Sequence, residues 1–276
     1  MTYEKAHAGS VLSLFRYPVK SMMGEELTAT EVTQGGVLGD RFYALVDAED
    51  GKIASAKNPR KWPNLFQLKA AFTEPPRLDA ALPPVQITLP DGSFVTSTQQ
   101  DAAAMLSCAL NRTVTLHTTQ LRKEHIAEGY WPDLESFKYY RNTVTDYTLP
   151  EGTFFDGAVL HVLTTATLDT LRERYPQGGF EPRRFRPNIV IKTAAGNTGF
   201  AENEWIGKTL LIGKTVRLQI TRACPRCVMT TLPQGNLPKD LGILKTAVTY
   251  NNANAGVYAA VLQGGTIRSN DPVQLT

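Results

Sequence analysis

The chain is poor in cysteine and histidine and has no long apolar run, and each shortage removes a class of protein. Three cysteines (Cys108, Cys224, Cys227) in 276 residues cannot build a disulfide framework and read as thiols kept reduced. A structural zinc site normally needs two cysteine pairs, or one pair with two histidines. Here Cys224 and Cys227 form one Cys-x-x-Cys pair, and the histidines, His7, His117, His125 and His161, show no His-x-x-x-His spacing. No stretch reaches the roughly 18 apolar residues of a membrane span. The opening MTYEKAHAGSVLSLFRYPVKS carries acidic and polar residues where a signal peptide needs an apolar segment, so the expected location is the cytoplasm, with no membrane partner. A net charge of +3 is too mild for a nucleic-acid partner. A haem attachment motif, a cysteine set for an iron-sulfur cluster and a GxGxxG following a strand are all missing, so nothing in the sequence accepts hydride or stores electrons by itself.

What is present is a folded chain, 42% apolar and 20% charged, large enough for a sizeable buried core. SVLSLFRYPVKS reads as a strand entering a turn, EDGK at 49–52 as a hairpin turn, and QLKAAF and VQITLPDGSFVT as further strands. TQQDAAAMLSCALN reads as a helix with Ala104, Leu106 and Leu110 on its apolar face. Residues 122–150 are polar, aromatic and poorly periodic, which predicts a lid-like loop and a domain boundary. Beyond it, VLHVLTT is a buried strand, TATLDTLRERY a threonine-capped helix, NIVIKT a strand, and WIGKTLLIGKTVRLQITRACPRC a hairpin that ends in the cysteines. GVYAAVLQGGTIRSNDPVQL reads as two short strands around a Gly-Gly turn. The expected fold is α+β but β-dominated and barrel-like.

The cysteine stretch allows several chemistries. C-P-R-C has the form of a redox dithiol, but that motif depends on a supporting helix after the first cysteine, and VMTTLP is a poor start for one. Both thiols can instead be small buried hydrophobes. A third reading follows from Arg222 and Arg226, which flank the pair: positive charge favours thiolate, and a thiolate ligates soft metals. One such thiolate suffices if an anionic cofactor supplies the remaining ligands. Candidate anion-binding residues stand in RYPVKS (Lys20, Ser21), GDRFY (Arg41) and RRFRPNIVI (Arg183, Arg184, Arg186, Asn188), where arginine offers bidentate contacts and asparagine both donates and accepts.

Taken in order, YPVKS, GDRFY, FRPNIVI, RACPRCVMTT and GVYAAVLQGGTIRSNDPVQL resemble the MOSC-domain family with its N-terminal β-barrel domain, including the mitochondrial amidoxime-reducing components and their bacterial relatives. The resemblance runs from about residue 10 to the C-terminus. It implies an N-terminal β-rich domain over 9–125 and a MOSC domain over 130–276. It further implies a molybdopterin-type molybdenum cofactor ligated by the cysteine before the apolar pair and Thr-Thr, which is Cys227. Lys20, Ser21, Arg41, Asp156, Gly157, Ala158, Arg186, Asn188, Arg226 and Tyr258 match cofactor-contacting positions, and Cys224 matches a position that relatives do not use on the metal. Where relatives often show Asp-Thr-Ser or Asp-Ala-Pro, this chain has Asp156, Gly157 and Ala158, which leaves backbone groups to make any contact after the aspartate. The TLPQGNLPKDLGILKT segment also departs from the family pattern at the substrate entrance.

The implied activity is reduction of small N-hydroxylated compounds such as amidoximes and hydroxylamines. Cys227 and Tyr258 would be the catalytic residues, with Asp156 or Tyr258 as the proton source. Electrons would come from an external carrier, ferredoxin-like or haem-bearing, with an NAD(P)H reductase. The alternative within the family is a sulfur or cofactor carrier using a Cys227 persulfide, and a family-level association with pyridoxal phosphate also exists.

Overall fold

A computed structural model describes residues 6–119, 124–132 and 142–276, and in it SVLSLFR belongs to the Ala6–Arg16 strand. This strand pairs antiparallel with Ile189–Thr193 on one side and Pro272–Leu275 on the other. A register shift between Val11 and Ser13 moves the inward-facing phase from Val11 to Leu14, both fully buried, as a bulge does when it breaks strict alternation. From Ile189–Thr193 the sheet continues through Leu160–Thr164, Asn254–Gln263, Val216–Pro225, Thr209–Ile212 and Pro272–Leu275 back to Ala6–Arg16, closing a seven-stranded barrel. Leu160–Thr164 and Ile189–Thr193 run parallel, and a parallel pair needs a crossover, which contains the Thr165–Arg174 helix. Val11, Leu14, Val162, Ile191, Leu218 and Val257 belong to one buried cluster, so the barrel interior is a packed core.

The second unit is built on Tyr43–Asp47 paired with Val114–Thr118, the meander Lys69–Phe72, Val85–Thr88 and Phe94–Thr96, and the Ala102–Leu110 helix. The helix buries Ala102, Leu106 and Leu110 at the four-residue spacing of one face, while Ala104 is exposed instead of inward. The units are not sequential blocks. Ala6–Arg16 sits in the barrel, and Gly265–Arg268 pairs with Ala29–Thr33. Val228, Met229 and Leu232, which follow the cysteines, insert into the core of the second unit beside Leu45, Phe66 and Leu106. The cysteine segment is thereby clamped between the two units.

Three further sequence expectations differ from the fold. Within 122–150, His125–Trp131 and Thr143–Leu149 form an antiparallel ribbon paired from end to end, not a loop; residues 122–123 and 133–141 of that stretch lie outside the described residues. Its buried positions include Ala127 and Gly129, too small to register as hydrophobic periodicity. The C-terminal stretch holds three strands, the first spanning ten residues, Asn254–Gln263. Gly242–Asn251, which begins within the TLPQGNLPKDLGILKT segment expected to be a loop at the substrate entrance, is a helix burying Ile243, Leu244 and Ala247. Its threonines and valine have modest helix propensity, and packing of Ile243 and Ala247 against Leu163, Leu168 and Phe180 outweighs that deficit. Among the described residues no helix is long and apolar enough to cross a membrane.

Candidate functional site

The topology brings one set of chain ends together. Ala6–Arg16 leaves the barrel where its antiparallel neighbour Ile189–Thr193 enters, and Leu160–Thr164, parallel to the latter, enters at the same end. Val216–Pro225 runs in the same direction as Leu160–Thr164 across Asn254–Gln263 and so leaves at the opposite end, but its Arg222 and the facing Tyr258 stand level with His161, near the entrance of Leu160–Thr164. Beside these strands lies a cleft of about 330 Å³ lined by all eleven residues that the family resemblance picks out: Lys20, Ser21, Arg41, Asp156, Gly157, Ala158, Arg186, Asn188, Arg226, Cys227 and Tyr258.

Asp40, absent from the sequence-based set although it stands in GDRFY, organises one wall. Its carboxylate accepts from the Tyr17 N–H at 2.7 Å and from Asn188 Nδ2 at 2.9 Å, and it pairs with Arg41. Asn188 Oδ1 in turn accepts from the His161 N–H at 3.1 Å. Asn188 therefore pins Asp40 and the barrel strand carrying His161 together, a structural task alongside its place in the cleft. Ser21, Arg41 and Arg186 all adopt positive φ, 63°, 50° and 53°, which costs of order 1–3 kcal/mol at a non-glycine residue. Each is held there: Ser21 Oγ accepts from the Ala56 N–H, the Arg41 N–H donates to Tyr17 O, and the Arg186 N–H caps the Pro182–Phe185 turn.

A second wall is a lysine-aspartate group. Lys20 Nζ donates to Asp156 Oδ1 at 2.6 Å and to Phe154 O at 2.8 Å, Lys57 Nζ lies 3.2 Å from Asp156 Oδ2, and Tyr147 Oη donates to the same carboxylate at 3.0 Å. Burial opposes the charge on Asp156, but Lys20 and Lys57 prevail and hold it far below the usual carboxylate range. Burial lowers Lys20 to about 8 against the pull of Asp156. The sign follows directly: Lys20 is a cation below about pH 8 and loses its charge above it. Uptake of an anionic ligand by the cleft is therefore expected to weaken as pH rises through that value, measured as binding of a pterin phosphate across pH 6.5–9.5 (roughly one and a half pH units either side). A flat profile would remove Lys20 from the anion site. Both lysines are engaged by Asp156, so the site lends no support to a pyridoxal phosphate Schiff base.

The cysteines differ sharply. Cys224 is fully buried, and its sulfur accepts from Arg226 Nη1 at 2.7 Å. Burial opposes its ionisation, yet Arg226 foremost, with His161 and Tyr258, brings its pKa below the ordinary thiol value. The reading of Cys224 as mere packing is thus incomplete, because its sulfur also holds the Arg226 guanidinium. Arg226 Nη2 donates to Phe185 O at 2.7 Å, and its buried Nε has no partner among the described residues. Cys227 is half-buried, lines the cleft, and opens the Val228–Thr231 turn, whose four residues are all buried. Arg184, fully buried, donates to Thr230 O and Leu232 O as well as to Gly179 O and Pro238 O, which fixes the backbone that presents Cys227.

Among the described residues six cations line the cleft, Lys20, Arg41, Lys57, Arg186, Arg222 and Arg226, against one carboxylate, Asp156. Such a balance suits a multiply charged anion. No group of three or more His, Cys, Asp or Glu side chains converges among the described residues, so a metal at Cys227 would draw its other ligands from a bound cofactor. The set fits a phosphate-bearing group with a soft metal: cations at several depths, an orphaned Nε on Arg226, and an accessible thiol. Sequence reasoning missed Lys57, Trp131 and His161 in the lining. Lys57 was findable only as a lysine near a turn, and nothing local marks Trp131 or His161.

Residues 150–274 match the MOSC domain and residues 8–97 the MOSC N-terminal beta barrel domain. Mitochondrial amidoxime-reducing component 1 of Mus musculus is 27% identical over 97% of this chain and 82% of its own length. Mitochondrial amidoxime reducing component 2 of Homo sapiens is 27% identical over 96% and 83%. Among solved structures, the YuaD protein from Bacillus subtilis aligns over 99% of this chain and 98% of its own, with a TM-score of 0.49 and 9% identity.

Proposed function

Because the chain belongs to the MOSC-domain family, we propose that the cleft holds a molybdopterin-type molybdenum cofactor and that the protein reduces small N-hydroxylated compounds with electrons from a separate redox protein. The observation that carries this reading is the convergence of five separated motifs on one cationic cleft beside an accessible thiol. The names of the relatives, amidoxime-reducing components, point the same way. Cys227 would ligate the metal as thiolate, and Arg186, Arg41, Lys20 and Arg226 would hold the pterin and its phosphate. Bound there, the cofactor supplies the two-electron chemistry of N–O reduction.

Loss of the hydroxyl as water also needs a proton. Asp156 is held ionised by its lysines and has none to give near neutrality. Tyr258, raised well above the phenol value by burial first and by Cys224, keeps its proton and lines the cleft, which makes it the better of the two candidates. The test is metal and pterin analysis of protein made in a cell that assembles the cofactor, followed by NAD(P)H-driven reduction of an amidoxime. Turnover is expected only with an added reductase and carrier pair, and it should fall as salt rises, since such encounters are steered by charge. Absence of turnover by fully loaded protein with every donor tried, a chemical reductant included, would instead favour the carrier of sulfur or cofactor.

A further inference from the structure

Four of the six cations in the cleft face an acidic partner: Lys20 and Lys57 face Asp156, Arg41 faces Asp40, and Arg226 faces the Cys224 thiol. Arg186 and Arg222 face none among the described residues. Arg186 is buried, whereas Arg222 is exposed and so stands at the open side of the cleft. An exposed arginine is ordinarily a solvated one, but this one is oriented. Its guanidinium lies over the Tyr258 ring at 4.6 Å, and Nη2 donates to Gly157 O at 3.1 Å. It can lie there because residue 157 has no side chain: a Cβ would come within 2.9 Å of Nη2. Nε and Nη1 have no protein partner among the described residues. The result is a guanidinium fixed on one side, with free donors on the other, against the tyrosine that lines the cleft with Cys227.

We propose that Arg222 is the carboxylate-binding residue of the substrate site, so that the preferred substrates are N-hydroxylated compounds carrying a carboxylate. The chemistry is that of the planar guanidinium fork, which matches a carboxylate with two parallel N–H···O bonds. Stacking on Tyr258 and the bond to Gly157 reduce the ordering that binding would otherwise require. This inference rests on the reductase reading for its substrate class, but the carboxylate site can be tested without turnover.

The experiment compares benzamidoxime with its para-carboxylated analogue on the full chain loaded with cofactor, by calorimetric binding and by steady-state kinetics, in the unaltered protein and in Arg222→Gln and Arg222→Lys. Charge-assisted bonds to an ionised group at a partly exposed site predict a preference of about tenfold for the carboxylated compound. Arg222→Gln should erase that preference, acting on KM and not on kcat, Arg222→Lys should retain part of it, and molybdenum and pterin content should stay unchanged in both. The proposal is overturned by equal binding of the two compounds to the unaltered protein, or by a preference that survives Arg222→Gln. Loss of pterin from Arg222→Gln also overturns it, since Arg222 would then be a cofactor contact. Selective binding without turnover from any donor would sink the reductase reading and leave the carboxylate site standing.

Discussion

Cys227→Ser protein is expected to retain almost no molybdenum when produced in a cell that assembles the cofactor, whereas Cys224→Ser should keep most of it. Cys227 is the thiol that lines the cleft, and its backbone is fixed by the buried Val228–Thr231 turn and the bonds from Arg184 to Thr230 O and Leu232 O. Serine would occupy the same place but offers a hard, un-ionised oxygen where a soft thiolate is needed. Cys224 does not line the cleft, and its sulfur is already engaged by Arg226. A serine there still accepts a hydrogen bond from Arg226 but carries no charge, so the loss should be partial and should come from a less firmly held guanidinium. Molybdenum per chain, with a thermal melt to confirm folding, decides the matter. Equal loss from both variants would mean a two-cysteine site and would end the single-ligand reading.

Arg186→Glu should strip pterin from the protein by at least about tenfold, because a charge-assisted bond to an anion contributes roughly 1.5–3 kcal/mol and the reversed charge adds repulsion. The position is demanding. Arg186 is buried, stacks over Tyr17 at 4.1 Å, and donates to Met22 O at 2.6 Å, with no acidic partner among the described residues. Burial first, and Arg41 next, lower its pKa to about 10, the mark of a cation held at a cost in desolvation. A bound phosphate would offset that cost. The control is Lys208→Glu, a reversal at an exposed lysine outside the cleft, and Arg186→Gln removes the charge without adding one. Pterin per chain after oxidative release is the readout. If Arg186→Glu and Lys208→Glu copurify with the same pterin, Arg186 serves packing alone.

Much of the site was legible in the chain because its signals are local. YPVKS, GDRFY and FRPNIVI each place cations beside a turn or a strand entrance, and the strands they adjoin follow from apolar runs of ordinary length. Elements whose identity depends on distant packing were not legible. The His125–Trp131 ribbon buries alanine and glycine, which carry no periodic signal, and the Gly242–Asn251 helix forms despite modest propensity because Leu163 and Phe180 cover it.

By itself the sequence determined the scarcity of thiols, the β-dominated character, and which residue types stand at the motif positions, since these depend on composition and neighbouring residues. Only the tertiary structure decided which charges meet. Lys20 and Asp156 are 136 positions apart, and Asn188 and Asp40 are 148. A Coulomb interaction or hydrogen bond depends on separation in space and on the exclusion of water around it, neither of which is written in local order. The same reason sets the Cys224 sulfur against Arg226, pairs Asp156 with two lysines so that it has no proton to give, and leaves Arg222 at the cleft with Nε and Nη1 unpartnered among the described residues.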